Sequence, residues 1–219
     1  MFQASFVNGD VFPNSLSKVV CVGRNYAEHA RELNNPVPDE PILFIKPETS
    51  VVDLHQSLNI PSEDCHYETE VAVLIGAELT KASAEGVLQG IAGIGLALDL
   101  TRRELQSQLK AKSHPWEIAK AFDGACPLSR FVPLVEFDDL KDIHFSLTIN
   151  DILQQKASTQ DMLTPIVPLI SYMSRFFTLR PGDVVLTGTP KGVGELKAGD
   201  RLAFTLADKL HIETQALAR

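Results

Sequence analysis

The chain has 219 residues, 44% of them hydrophobic, with 13 glycines and 13 prolines spread along its length, which fits one globular domain over 1–219 with a sizeable core. The formal charge is −8 and the 20 lysines and arginines are scattered, so no basic stripe points to nucleic acid as a partner. No run approaches the roughly 18 apolar residues of a membrane span, the start shows no basic stretch leading into an apolar one, so no secretory leader is expected, and Cys21, Cys65 and Cys126 are an odd count without C-x-x-C spacing, which argues against a disulfide framework and a thiolate zinc site.

A cytoplasmic protein with no membrane partner is therefore expected. In "FVNGDVF", Asn8-Gly9 between apolar residues predicts a tight hairpin, and "KVVCVG" follows as a short strand. In "RNYAEHARELNNP", Asn25 and Glu28 have N-cap spacing, and Asn34, Asn35 and Pro36 stop a helix of two to three turns. "PILFIKP" is a strand that sets Ile42, Phe44 and Lys46 on one face, so a lysine ends an apolar row. "HYETEVAVLIG" reads as a buried strand whose mouth carries Glu68 and Glu70. "LQGIAGIGLALDL" is a second apolar strand, and Asp99 sits where it hands over to "TRRELQSQLKAK", with Thr101 and Glu104 at capping-box spacing. Beyond it, "HFSLTINDILQQ" is a hairpin around Asn150-Asp151, "PIVPLISYMSRFFTL" an amphipathic helix, and "RPGDVVLTGTPKGVG" and "KAGDRLAFTL" two turn-then-strand units. Many strands with few helices predict a mixed, β-rich (α+β) fold and not a doubly wound sheet.

Residues two apart on a strand lie about 6.5 to 7 Å apart on one face, so Glu68 and Glu70 share an environment. Such a pair needs water, a proton or a cation. Val71, Val73 and Ile75 face one side while Ala72 and Leu74 continue the glutamate face, which weakens the water explanation. Carboxylate oxygens suit Mg²⁺, Mn²⁺ or Ca²⁺, with Asp99 as the natural third ligand. The plainer alternative pairs both glutamates with rim arginines and leaves Asp99 as a helix cap. His29 and Glu32, at i and i+3, make a base able to activate water, although helix surfaces carry such pairs for solubility alone. Lys46 and Lys120 lie between apolar residues where either could meet an anion. "GTPKGVG" matches no phosphate loop, which leaves Thr189 and its backbone amides as holders of a small carboxylate.

"VGRNYAEHARE", "PILFIKPETS", "HYETEVAVLIG", "ALDLTRRELQ", "WEIAKAFDGACP" and "VLTGTPKGVG" occur in that order, and from about residue 18 to 205 the chain resembles the fumarylacetoacetate hydrolase superfamily, its short acylpyruvase and oxaloacetate decarboxylase members above all. The resemblance implies a β-roll or sandwich with short flanking helices, usually a homodimer, and a Mg²⁺ or Mn²⁺ held by Glu68, Glu70 and Asp99. It assigns catalysis to His29, Glu32 and Lys120, and binding of a small 2-oxo acid to Arg24, Lys46, Arg103, Gln106 and Thr189. Where relatives often carry a second histidine and an aliphatic residue, this chain has Tyr67 and Thr69. The leading expectation is hydrolysis of the C3–C4 bond of acylpyruvates, because His29 and Glu32 supply the base that hydrolysis needs. Oxaloacetate decarboxylation or keto–enol tautomerisation, and isomerisation or decarboxylation of unsaturated 2-oxo dicarboxylates, are the alternatives, with a non-catalytic dicarboxylate binder behind them.

Overall fold

The computed structural model describes residues 2–32 and 36–219. Strands β1 (Gln3–Ser5) and β2 (Val11–Ser15) form the hairpin expected at Asn8-Gly9, with Gly9 at φ +94°. Then come β3 (Lys18–Gly23), α1 (Ala27–Glu32), β4 (Ile42–Pro47), β5 (Val51–Asp53), β6 (Leu58–Ile60), β7 (Cys65–Tyr67), β8 (Thr69–Ile75), α2 (Ala84–Gln89) and β9 (Ile91–Leu98). After β10 (Thr101–Arg102), α3 (Arg103–Ala111), α4 (Glu117–Lys120), β11 (Cys126–Leu128) and β12 (Val132–Pro133), the hairpin turning at Asn150-Asp151 joins β13 (His144–Ile149) to β14 (Ile152–Ser158). The amphipathic stretch forms α5 (Ile166–Met173), and β15 (Val184–Leu186), β16 (Gly194–Glu195), β17 (Arg201–Leu206) and β18 (Leu210–Ala218) complete the chain.

The strands form a mixed, β-rich architecture. An eight-stranded sheet runs β4-β3-β15-β8-β9-β11-β5, with β12 also on β9, and a five-stranded sheet runs β14-β13-β17-β18-β6. Strand β3 is parallel to β15 and β5 to β11, while β8 lies antiparallel to both β9 and β15. On one face of the large sheet Val20, Val71, Val73, Ile94 and Leu96 join Phe145, Leu147 and Phe204 of the smaller sheet in the main core. On the other, Val19, Cys21, Ala72, Leu74 and Ala97 pack with Phe12 and Phe131. Both faces of β8 are thus buried, as its near-continuous apolar run demands. Among the described residues no helix is long and apolar enough to cross a membrane.

Three local readings change. The stretch "HYETEVAVLIG" is two strands, because the chain leaves the three-stranded sheet β10-β7-β16 at Glu68 and enters the large sheet at Thr69. Asn25 does not cap α1. Its side chain accepts from Thr164 N–H (2.8 Å) and donates to the carbonyls of Thr164 and Thr187 (2.9 Å each), a long-range use that local spacing cannot reveal. Helix α1 has six residues, and the stop assigned to Asn34 and Asn35 lies outside the described residues. Thr101 does not cap α3 either, since it lies in β10 and donates to the Asp99 carbonyl (3.1 Å). The first turn is capped by Asp64, whose carboxylate accepts the N–H groups of Glu104 (2.8 and 2.9 Å) and Leu105 (3.2 Å). Asp64→Ala should lower the unfolding free energy by about 1 kcal/mol, read from the urea midpoint at constant slope, while Thr101→Val should leave the α3 cap intact.

Candidate functional site

The site sits where β8 and β9 run side by side, on the face of the large sheet shared with Cys21 and Ala72. Glu70 pairs directly with Ala97, so by period two Glu70 and Asp99 point the same way. Glu68 joins them from the break between β7 and β8, and Asp99 N–H donates to the Glu68 carbonyl (2.8 Å). The three carboxyl groups are buried and offer ligand oxygens within 4.8 Å of one another.

Cations close around them. Lys120, at the end of α4, donates to Glu68 Oε2 (2.9 Å) and Asp99 Oδ2 (2.6 Å), and Arg103 bonds Glu68 Oε1. Lys46 Nζ lies 2.7 Å from Asp99 Oδ1 but directs its protons at the carbonyls of Leu100 (3.4 Å), Ala125 (3.0 Å) and Lys120. Asp99 Oδ1 therefore has a positive neighbour and no hydrogen-bond donor. Glu70 accepts the Gly188 N–H at 2.6 Å. Gly188 is at φ +93°, and a Cβ there would stand 2.7 Å from Asn25 Cβ, so only glycine brings this amide to the carboxylate.

The electrostatics follow from this arrangement. Burial opposes ionisation of Glu68, but Lys120 and Arg103 outweigh it and hold the carboxyl below the usual range. Glu70 has no cation of its own in contact, so burial, then Asp99 and Glu68, push it well above that range. Lys120 is held above the usual lysine value, because Asp99 and Glu68 outweigh its burial. Three clustered oxygen donors, one of them a buried oxygen without a hydrogen bond, fit a hard divalent cation better than zinc or copper.

The same pocket is lined by Arg24, His29, Gln106, Thr189, Lys110 and Trp116. Arg24 holds a left-handed φ of 60° at the end of β3, an uncommon conformation for a residue with a side chain. Gln106 Oε1 accepts from Arg103 (3.0 Å), and Thr189 Oγ1 accepts from Gln155 (2.9 Å). His29 is buried, and desolvation lowers its pKa against the pull of Glu68 and Glu32, which favours the neutral imidazole. Its Nδ1 lies 3.5 Å from Glu32 Oε2, outside hydrogen-bond geometry, and has no hydrogen-bond partner among the described residues. Glu32 instead accepts the Gly192 N–H (3.0 and 3.2 Å).

The structure thus gathers His29, Lys120, Arg24, Arg103, Gln106 and Thr189 around the acidic triad. Two expected site residues stand apart from the lining. Lys46 is 0% exposed, behind Asp99, so the anion it meets is that carboxylate and not a ligand in the pocket. Glu32 is tied to the Gly192 loop. Lys110 and Trp116 were missed, although Arg103, Gln106 and Lys110 recur at spacings of three and four, the signature of one helix face.

The fold and site define a β-rich scaffold whose buried acidic triad, ringed by cations, could hold a metal ion. The model of the fumarylacetoacetate (FAA) hydrolase C-terminal family matches residues 18–215, and the chain belongs to that family. It is 53% identical over 208 residues to the oxaloacetate tautomerase YcgM of Escherichia coli (strain K12), covering 94% of this chain and 95% of that protein. A fumarylacetoacetate hydrolase family protein from Yersinia pestis CO92 superposes with TM-score 0.96 at 51% identity, over 99% of this chain and all of that one. The fumarylpyruvate hydrolase of Pseudomonas aeruginosa, solved with Mn²⁺ and pyruvate, gives TM-score 0.92 at 33% identity, over 100% of this chain and 96% of the other.

Lys46→Met should remove the counter-charge of a buried carboxylate and leave buried carbonyls without a donor. We expect a loss of about 3 to 5 kcal/mol in urea unfolding.

Proposed function

We propose that this chain is a Mg²⁺- or Mn²⁺-dependent oxaloacetate keto–enol tautomerase. The observation that carries the reading is His29, a buried imidazole whose Nδ1 is unbonded and which lines one pocket with the acidic triad, Lys120 and Arg103. Moving a proton between C3 and the 2-oxygen needs one such group, whereas hydrolysis also needs an activated water. Glu32, the partner that activation would require, lies 3.5 Å from His29 Nδ1 without a hydrogen bond and accepts the Gly192 N–H instead. The likeness to the E. coli tautomerase at 53% identity supports the same choice over acylpyruvate hydrolysis, the reading that led from the sequence.

Glu68, Glu70 and Asp99 would hold the ion, which when bound supplies positive charge beside the 2-oxo oxygen of the substrate. The Mn²⁺ in the P. aeruginosa hydrolase supports manganese beside magnesium. Arg103, Gln106 and Thr189 bind the C1 carboxylate by charge and hydrogen bonds. His29 removes a proton from C3, the C–H electron pair becomes the C2–C3 double bond, and negative charge moves to the 2-oxygen. Lys120 donates a hydrogen bond to that oxygen as the charge arrives, and the proton is returned there from His29. Each step reverses for ketonisation.

His29→Asn should slow ketonisation of enol-oxaloacetate by roughly 100- to 10,000-fold, followed by loss of enol absorbance, with metal affinity unchanged. Glu70→Gln should weaken Mg²⁺ and Mn²⁺ binding in calorimetry together with activity. NMR with oxaloacetate and with acetylpyruvate, each with metal and with EDTA, tests the assignment as a whole. Metal-dependent tautomerisation of oxaloacetate without loss of CO₂ is expected. A higher kcat/KM for release of acetate and pyruvate would return the assignment to hydrolysis, and dominant CO₂ release would make it a decarboxylase.

A further inference from the structure

The lining of the pocket carries a cation that the reaction above leaves unused. Lys110 lies at the end of α3, on the helix face of Arg103 and Gln106, and lines the same pocket. Its Nζ rests 4.9 Å from the ring centroid of Trp116, whose ring lies 6.5 Å from that of Phe44. This cation–π contact restrains the ammonium over the cavity.

The three lysine and arginine side chains that reach the triad are already answered by acids, since Arg103 bonds Glu68, Lys120 bonds Glu68 and Asp99, and Lys46 stands against Asp99. Among the described residues Lys110 forms no ion pair with a carboxylate. Burial, then repulsion from Arg24, Arg103 and Lys120, brings its pKa down to about 8 against a weaker pull from Glu68. The side chain as a whole stays exposed while its ammonium is partly desolvated. A cation held among cations at the edge of a pocket is a place where an arriving anion lowers the energy.

A 2-oxo acid whose C1 carboxylate and 2-oxygen lie toward Arg103 and the triad has its far end free to meet Lys110 in the same pocket lining. We propose that Lys110, steadied by Trp116, binds the C4 carboxylate of oxaloacetate and so selects four-carbon 2-oxo dicarboxylates over 2-oxo acids with an uncharged tail. This assignment rests on the tautomerase reading. It names a specificity residue, one that touches the substrate away from the reacting atoms.

The experiment compares oxaloacetate with its 4-methyl ester, which removes one charge at nearly constant shape, in the full-length protein with Mg²⁺. In Lys110→Met the KM for oxaloacetate should rise roughly 10-fold or more, the value of a lost charge-assisted hydrogen bond, with kcat nearly unchanged and the ester unaffected. Lys110→Arg should retain most of the preference, which separates loss of charge from loss of fold. Equal effects on both substrates, or none, would overturn the assignment. If the wild type turned over neither compound, the tautomerase reading would fall by itself. Calorimetric affinity for oxaloacetate against the ester would then decide Lys110: a preference abolished in Lys110→Met upholds it, and equal affinities overturn it.

Discussion

Three buried carboxyl groups at the edge of two neighbouring strands are the constraint around which this molecule is built. Taking ionised carboxylates out of water is costly unless cations and donors meet them, and the chain brings those from distant positions. Lys46 comes from β4, Lys120 from α4, Arg103 from α3, and the Gly188 amide from the turn after β15. Fixing the acids therefore also fixes the order of the strands beneath them. Strand β4 must lie on β3, and β15 must lie between β3 and β8, for those groups to arrive on one face.

The cations divide the labour. Lys46, wholly buried, ties Asp99 to three main-chain carbonyls and acts from behind. Lys120 and Arg103 face both the acids and the cavity, so they can hold the triad and still meet a ligand. Among the described residues Glu70 has no cation in contact, and it is the acid least at ease as an anion.

The large sheet carries an apolar core on each face. One face carries the main core, in which Val71 and Val73 of β8 pack with Phe145 and Phe204. The other carries the second core, in which Ala72 and Ala97 lie two residues along their strands from Glu70 and Asp99. Short helices then bring in His29 from α1, Gln106 from α3 and Lys120 from α4.

Much of this was legible in the residues themselves. The alternation along "VAVLI", the lysine closing "PILFIKP" and Asp99 at the end of an apolar run are local patterns, and periodicity is local physics. They led to the β-rich class, to both hairpins, and to Glu68, Glu70 and Asp99 as one cluster. Tertiary structure alone decided what each side chain meets. Asn25 and Thr101 have the sequence form of caps, yet Asn25 bonds Thr164 and Thr187 and the α3 cap comes from Asp64. Lys46 and Lys120 looked alike between apolar neighbours, and only the packing of α4 against β4 put one behind Asp99 and the other before it. Glu68 reached the triad through a change of sheet that no two-residue period encodes. Periodicity follows from the geometry of a single strand or helix, whereas a partner is chosen by chain segments far apart in sequence, which meet only when the whole sheet has closed.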